Sequence, residues 1–324
     1  MLDAKSSAMT KPKRHHYLPQ FYLDGFCRNG QLWVFDRQLN AFRQQTPKNT
    51  ALESHYYSVE DGGGNKRTDI ESFLSQIEGR AKQVIVSLLA GKTIAAEEKE
   101  ELSIFIAFMM NRVPDFEKSV NMVEKHMIGS VMDLAFSDEA RIQSIMDKRE
   151  QETGEKETIS VKELLKFYKS GQYDLVIHRN ESLRLMLSLS LEMAKYFTQM
   201  EWVIFHTPSR TSFVTTDNPV ALVAPPDYDR HSFWGVGIIT PGAMKVFPLS
   251  QAACLTMYDH GEILSHREID SQTVRRINLT VTSHSDRFVV GRDKLLVQNL
   301  VKTTGIEHYQ RNGRFSVGYD RTDT

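Results

Sequence analysis

The segment 13-KRHHYLPQFYLDGF-26 gathers side chains that can move protons and hold anions. His15 and His16 titrate near neutrality, so each can act as acid, base or metal ligand. Tyr17, Gln20 and Tyr22 add polar tips able to orient a phosphate or the edge of a base. Leu18 precedes Pro19 and is pushed to extended backbone. With Phe21, Leu23 and Phe26 it would pin the segment to a core. The competing reading is that the two histidines only hydrogen-bond backbone where the chain enters its fold.

A second dense stretch is 212-SFVTTDNPVAL-222. Thr, Asp and Asn at a strand end are turn formers, because their side chains bond nearby backbone. Asp217 and Asn218 could equally project from a sheet end, where rigid strands hold functional groups. Glu78 and Arg112 then stand out as charges beside apolar helical stripes. A charge near a buried face is costly unless paired. Either these two pair with each other or cap helix ends, or they face a polar cavity shared with His15, His16 and Asp217.

An imidazole, carboxylates, a guanidinium and an Asn suit general acid/base hydrolysis of a phosphodiester or another anionic substrate, by a nuclease or nucleotide hydrolase. His15 or His16 would be the base or a metal ligand, and Arg112 the anion clamp. Asp217 would be a metal ligand or an orienting carboxylate. Tyr17, Gln20, Tyr22 and Asn218 would bind substrate. If His16 and Asp217 hold a divalent metal, oxygen and imidazole donors favour Mg²⁺, Mn²⁺ or Zn²⁺. A rival of another class is a non-catalytic module, in which Lys11, Lys13 and Arg14 beside Tyr17 and Tyr22 form a stacking platform for single-stranded nucleic acid. A third reading is an adaptor whose helices bind another protein.

Several motifs fail on spacing. The stretch 90-AGKT-93 ends like a phosphate-binding loop, but Val86 occupies the place of its first glycine. Gly235 and Gly237 lack the third glycine of a dinucleotide fingerprint. There is no G-x-S-x-G, H-E-x-x-H or C-x-x-C. Pro114-Asp115 could open a nuclease carboxylate motif, yet no acidic-x-lysine strand follows it. His16, Asn49 and His55 occur in the order of a ββα metal nuclease, but 52-LESHYYSV-59 reads as loop and strand where that site needs a helix.

The elements that must position these residues change character along the chain. Residues 1–14 read as a disordered leader, and 31-QLWVFDRQLNAFRQQTP-47 as a hairpin. A strand at 55–59 and a turn at 61-DGGGN-65 follow. Apolar residues at helical spacing predict helices over about 68–92, 96–112, from Pro114 onward, 139–149, 161–169 and 183–197, with 150-EQETGEKET-158 a charged linker. The period then falls to two, predicting strands at 201–207, 212–216, 219–223, 243–249, 253–259 and 287–291. Helices over 271–283 and 294–302 and a closing hairpin at 306–319 complete the set. Strands, then helices, then strands predict an α+β fold. Its mostly antiparallel sheet would be built from both ends of the chain, around a central block of about five to six helices (68–199). Residues 15–324 would form a single domain.

Composition agrees with a globular chain: 324 residues, 40% hydrophobic and 25% charged. The net charge of −1 excludes a global basic field for a polyanion, so any nucleic-acid contact must be local. Two cysteines make no disulfide framework, and the apolar run 104-IFIAFMM-110 is far short of the roughly 20 residues of a membrane span. A soluble, cytoplasmic protein is expected.

The run HHYLPQFYLDGF, the strand QLWVFDR, the helix end NRVPDF, and FVTTDNPV with FPLS downstream resemble the bacterial DUF4238 family, in the family's order from His15 to about Gly291. The resemblance implies that His16, Tyr17, Pro19, Phe21 and Leu23 belong with Arg112 and Pro114, and with Asp217, Asn218 and Pro219. It implies no catalytic assignment. This chain reads T-T-D-N-P where T-S-D-N-P is expected, which keeps a hydroxyl. The family fixes no histidine at position 55, which weakens the metal-nuclease triad. A role in bacterial defence or stress is the setting this reading expects.

Overall fold

The computed structural model describes residues 14–54, 59–60, 66–67, 69–156, 158–177, 179–228, 236–261 and 263–308. Leader residues 1–13, residues 55–58 of the strand expected at 55–59, the turn at 61–65 and residues 309–319 of the expected closing hairpin lie outside them, and Ile306–His308, expected to open that hairpin, form a 3-10 helix instead.

The chain opens with β1 (Arg14–His16), α1 (Gln20–Asp24), the hairpin β2 (Leu32–Asp36) and β3 (Ala41–Gln45), and β4 (Leu52–Ser54). A short pair follows, β5 (Val59–Glu60) with β6 (Lys66–Arg67). The helical block is α2 (Asp69–Leu89), α3 (Ala96–Asn111), α4 (Pro114–Ala135), α5 (Glu139–Thr153), α6 (Val161–Ser170) and α7 (Arg179–Thr198). Then come β7 (Met200–His206), β8 (Thr215–Thr216), β9 (Ala221–Val223), β10 (Met244–Pro248), β11 (Ala253–His260) and β12 (Leu264–Glu268). The described part ends with α8 (Ser271–Ser283), β13 (Phe288–Gly291) and α9 (Lys294–Thr304).

This is the expected α+β class with open, mostly antiparallel sheets, although two sheets share the strands expected in one. The sheet that joins both ends of the chain has the order β3-β2-β13-β8. The other, β12-β7-β11-β10-β9, draws only on residues after the helical block, and its β12–β7 pair is parallel. Asp217–Val220 carry the chain from the end of β8 in the first sheet to β9 in the second.

Local chemistry explains the boundaries. In the hairpin, Asp36 Oδ1 accepts from Gln38 N–H at 3.1 Å, and Asn40 takes a left-handed φ of 46°, which a short polar side chain tolerates. The run 104-IFIAFMM-110 lies in α3, buried continuously from Phe105 to Asn111, as a helix apolar on every side must be. The charged stretch after position 150 is shorter as linker than its composition suggests. Helix α5 continues through Thr153, and Gly154 closes it with a left-handed φ of 71°.

Gly291 ends β13 where a Cβ would stand 3.0 Å from Val297 Cγ2 and 3.1 Å from Val214 Cγ1. Both contacts are branched core side chains with little room to yield. Gly291→Ala is expected to destabilise the chain by about 1–3 kcal/mol through overpacking, measured by urea denaturation.

Candidate functional site

Pro19 sets the geometry of the histidine segment. It forces Leu18 to extended backbone and starts the five-residue helix α1. That helix is clamped between a sheet and a helix: the Tyr22 ring stacks on Phe247 of β10 with centroids 5.3 Å apart, and Phe21 meets Phe105 of α3 at 5.6 Å. Leu23 and Phe26 are buried beside them. Each of these apolar side chains contributes roughly 1.5–3 kcal/mol of burial, so the segment is a strong anchor. The residues on its N-terminal side inherit a fixed position.

His16 precedes this anchor and pairs with Leu52 in the β1–β4 ladder. Its Nδ1 lies 3.2 Å from the Thr50 carbonyl oxygen, and its Nε2 lies 3.0 Å from Gln20 Nε2. A carbonyl only accepts and an amide NH₂ only donates. The Thr50 carbonyl makes Nδ1 the donor, and the Gln20 amide, oriented with its Nε2 towards the ring, leaves the lone pair on His16 Nε2. Burial lowers the His16 pKa below the ordinary imidazole range. The Thr50 hydrogen bond and the Glu78 carboxylate pull it back, while the Arg112 guanidinium adds to the depression. His16 is half-buried and Gln20 is exposed, so the lone pair stands behind a side chain that solvent reaches.

Glu78 and Arg112 do pair: Arg112 Nη1 donates to Glu78 Oε1 at 2.7 Å. The arginine side chain is 1% exposed and the glutamate 27%. Arg112 Nη2 reaches only the Met109 sulfur, at 3.5 Å, and Arg112 Nε has no hydrogen-bond partner. An unsatisfied buried donor costs about 1–3 kcal/mol, which an incoming acceptor would recover. His15 is buried, and its Nε2 is 2.7 Å from Glu71 Oε1. Glu71 and Glu78 are seven residues apart on α2, about two turns, so the carboxylates that meet His15 and Arg112 stand on one helix face.

Asp217 and Asn218 do a different job. Both are 2% exposed. The Asp217 carboxylate accepts the backbone N–H of Asp286 at 3.0 Å and of Arg287 at 2.7 Å. Burial raises its pKa to about 7, aided by the nearby Asp286 carboxylate, against the opposing pull of those amides. Asn218 Nδ2 donates to Asp115 Oδ2 at 3.0 Å and to the His284 carbonyl at 3.2 Å. The pair thus latches the sheet-to-sheet crossover onto the start of α4 and onto the turn before β13. Arg287 extends the latch by a two-point pair with Asp36, at 3.0 and 3.1 Å.

The expected residues accordingly fall into two groups. His16, Gln20, Glu78 and Arg112 form a half-open cluster. Asp217 and Asn218 belong to a buried latch that approaches the cluster through Asp115, three residues beyond Arg112. Tyr17 and Tyr22 are 3% and 1% exposed, and the Tyr22 hydroxyl is held by Thr215 Oγ1 at 2.7 Å and the Pro248 carbonyl at 2.8 Å. Neither ring offers a stacking face to a nucleic acid, and Lys11 and Lys13 lie outside the described residues. His55, third member of the ββα order, also lies outside them. Among the described residues no three His, Cys, Asp or Glu side chains are grouped to hold a metal ion, and Asp217 already gives both oxygens to backbone amides. The sequence did not point to Glu71, Asp36 or Arg287 and offered Asp115 only in a motif that fails; Glu71, Asp115 and Arg287 have partners far away in the chain.

The fold and the anchored histidine segment define an α+β protein with a polar cluster at the edge of its helical block. No described helix is long and apolar enough to cross a membrane. The family model of the DUF4238 proteins, a family of unknown function, matches residues 14–295, and the chain belongs to that family. No curated protein and no solved structure matches it.

Proposed function

We propose that the His16 cluster is the active site of a hydrolase acting on a phosphodiester or a related anionic ester. The observation that carries this reading is the His16 ring held between the Thr50 carbonyl and the exposed Gln20 amide. A neutral imidazole presents its Nε2 lone pair towards an exposed amide, next to a buried guanidinium whose Nε has no partner. In the proposed step Gln20 swings away and Nε2 takes a proton from water as the water oxygen attacks phosphorus. The P–O bond to the leaving group breaks, and the leaving oxygen receives a proton from His16 or from solvent. Arg112 neutralises the phosphoryl oxygens, and Glu78 holds Arg112 in place.

Turnover of bis(4-nitrophenyl) phosphate, a short RNA and a short DNA, each with and without Mg²⁺, Mn²⁺ and Zn²⁺, tests the reading. His16→Gln is expected to lower the rate about 10²- to 10⁴-fold with the fold retained by circular dichroism. Because burial holds the His16 pKa below 6.5, the base form is present at neutral pH. The rate should therefore rise with pH through an inflection below 6.5 and stay level above it. Equal rates in His16→Gln and the parent would remove His16 as the base. No turnover of any of the three esters, with or without metal, would sink the hydrolase reading.

A further inference from the structure

A concave site shares none of its lining residues with the His16 cluster. A cavity of about 340 Å³ opens where the loop after α1 meets the N-terminal ends of α8 and α9. Four arginines line it: Arg28, Arg210, Arg275 and Arg292. They come from four separate stretches of chain, so only the fold brings them together. The protein as a whole carries 40 Lys and Arg against 41 Asp and Glu, so four cations around one cavity do not reflect a generally basic surface.

None of these four guanidiniums is neutralised by an ion pair with a carboxylate among the described residues. Arg275 spends one donor on Thr303 Oγ1 at 3.3 Å, and Arg292 one on Gln251 Oε1 at 3.3 Å. The one acid in the lining, Asp293, already caps α9 by accepting from Leu296 N–H at 3.1 Å. Arg28, Arg210 and Arg275 are exposed and Arg292 is half-buried, and each guanidinium offers five N–H donors in a planar fork that matches phosphate oxygens. Like charges held around one cleft repel, and a bound polyanion relieves that repulsion.

The wall behind them is mixed, with Val274, Leu296 and Leu300 standing among Thr211, Ser212, Ser271 and Asn278. Val274 and Leu300 are buried at 2% and 1% exposure, and Leu296 is half-buried next to them. A cationic rim over a wall of mixed polarity suits a ligand with an anionic end and a body that is partly apolar and partly hydrogen-bonding. The volume is at the lower end of the range for small-molecule pockets, larger than an inorganic phosphate needs. We propose that this cleft binds a small phosphorylated organic molecule of nucleoside-diphosphate size, its phosphates on the arginines and its planar body against Val274, Leu296 and Leu300. The proposal does not depend on hydrolysis at His16.

Isothermal titration of the full chain with ADP, adenosine, inorganic pyrophosphate and a twelve-nucleotide single-stranded DNA tests it. The paired variant Arg210→Gln with Arg275→Gln alters two exposed side chains, and His16→Gln serves as the control for the other site. ADP is expected to bind at least about tenfold more tightly than adenosine and pyrophosphate, and the arginine variant to lose about tenfold or more of that affinity while His16→Gln loses none. ADP binding that His16→Gln abolishes and the arginine variant leaves intact would overturn the assignment. So would an absence of ADP binding, or pyrophosphate binding as tightly as ADP. DNA binding that ADP does not displace, with no ADP binding of its own, would overturn it in favour of a polynucleotide surface.

Discussion

Asp217→Asn is expected to change how stability depends on pH, by about 4 kcal/mol between pH 4 and pH 8 relative to the parent. The parent carboxylate has its folded pKa raised from an ordinary 3.8 to about 7, first by burial and then by the neighbouring Asp286. Between those two values the folded chain holds a proton that the unfolded chain has released. Stability from this group is therefore complete below pH 4 and is lost as the pH rises through 7. The amide in the variant does not titrate. One of the two backbone N–H groups that Asp217 accepts keeps a carbonyl partner in the variant, and the other does not, at a pH-independent cost of about 1–3 kcal/mol. The variant should thus be the less stable protein at pH 4 and exceed the parent at pH 8, with the crossing between them. Urea denaturation of both proteins across that range measures the crossing. A difference constant with pH would mean that Asp217 ionises like an exposed carboxylate.

The same residue shows how far the sequence reaches. Strand and helix periods placed the helical block and most of the late strands, because burial of one face writes itself into residue spacing. The strand β12, 264-LSHRE-268, escaped, since an edge strand parallel to its neighbour keeps polar residues on both faces. The helix α1 escaped as well: with five residues it is shorter than any hydrophobic period can reveal. Residues 212–214 read as strand yet join no ladder. There Val214 N–H is taken by the Asn278 side chain at 3.1 Å, a partner 64 positions away.

Site geometry was legible where a motif is short or where a charge beside an apolar stripe demands a partner, as with Glu78 and Arg112. The His16 and Gln20 pairing spans four residues and lies within one motif. The Asn218 to Asp115 bond spans 103 residues and the Arg287 to Asp36 pair 251, and no spacing rule encodes either. Residue type also misled in a particular way. Asp217, Asn218 and Tyr22 are polar and cluster in short motifs, which suggested ligand contact. Burial instead turned their polar atoms inward, because a group removed from water must find its partner inside the chain.

The Glu78–Arg112 pair should respond asymmetrically to removal of its two members. Glu78→Gln leaves a 99%-buried guanidinium with no carboxylate, a sulfur at 3.5 Å and an unsatisfied Nε. Arginine cannot shed its proton to escape, so the loss should be about 3–5 kcal/mol. Arg112→Met removes the charge, keeps much of the volume and leaves Glu78, already 27% exposed, free to turn towards water. Its cost should be nearer 1–2 kcal/mol. The double variant should then match Arg112→Met more closely than the sum of the two, by a coupling of about 1.5–3 kcal/mol in denaturant titrations. Equal and additive losses would mean that the pair is not coupled. Arg112→Met also separates positioning from folding. With the cation gone, the His16 pKa should move up from its lowered position, since Arg112 is one of the groups depressing it, while burial holds part of the shift in place. An NMR titration of the His16 ring reads that movement in a protein that still folds. A purely structural arginine remote from the histidine would leave it where it was.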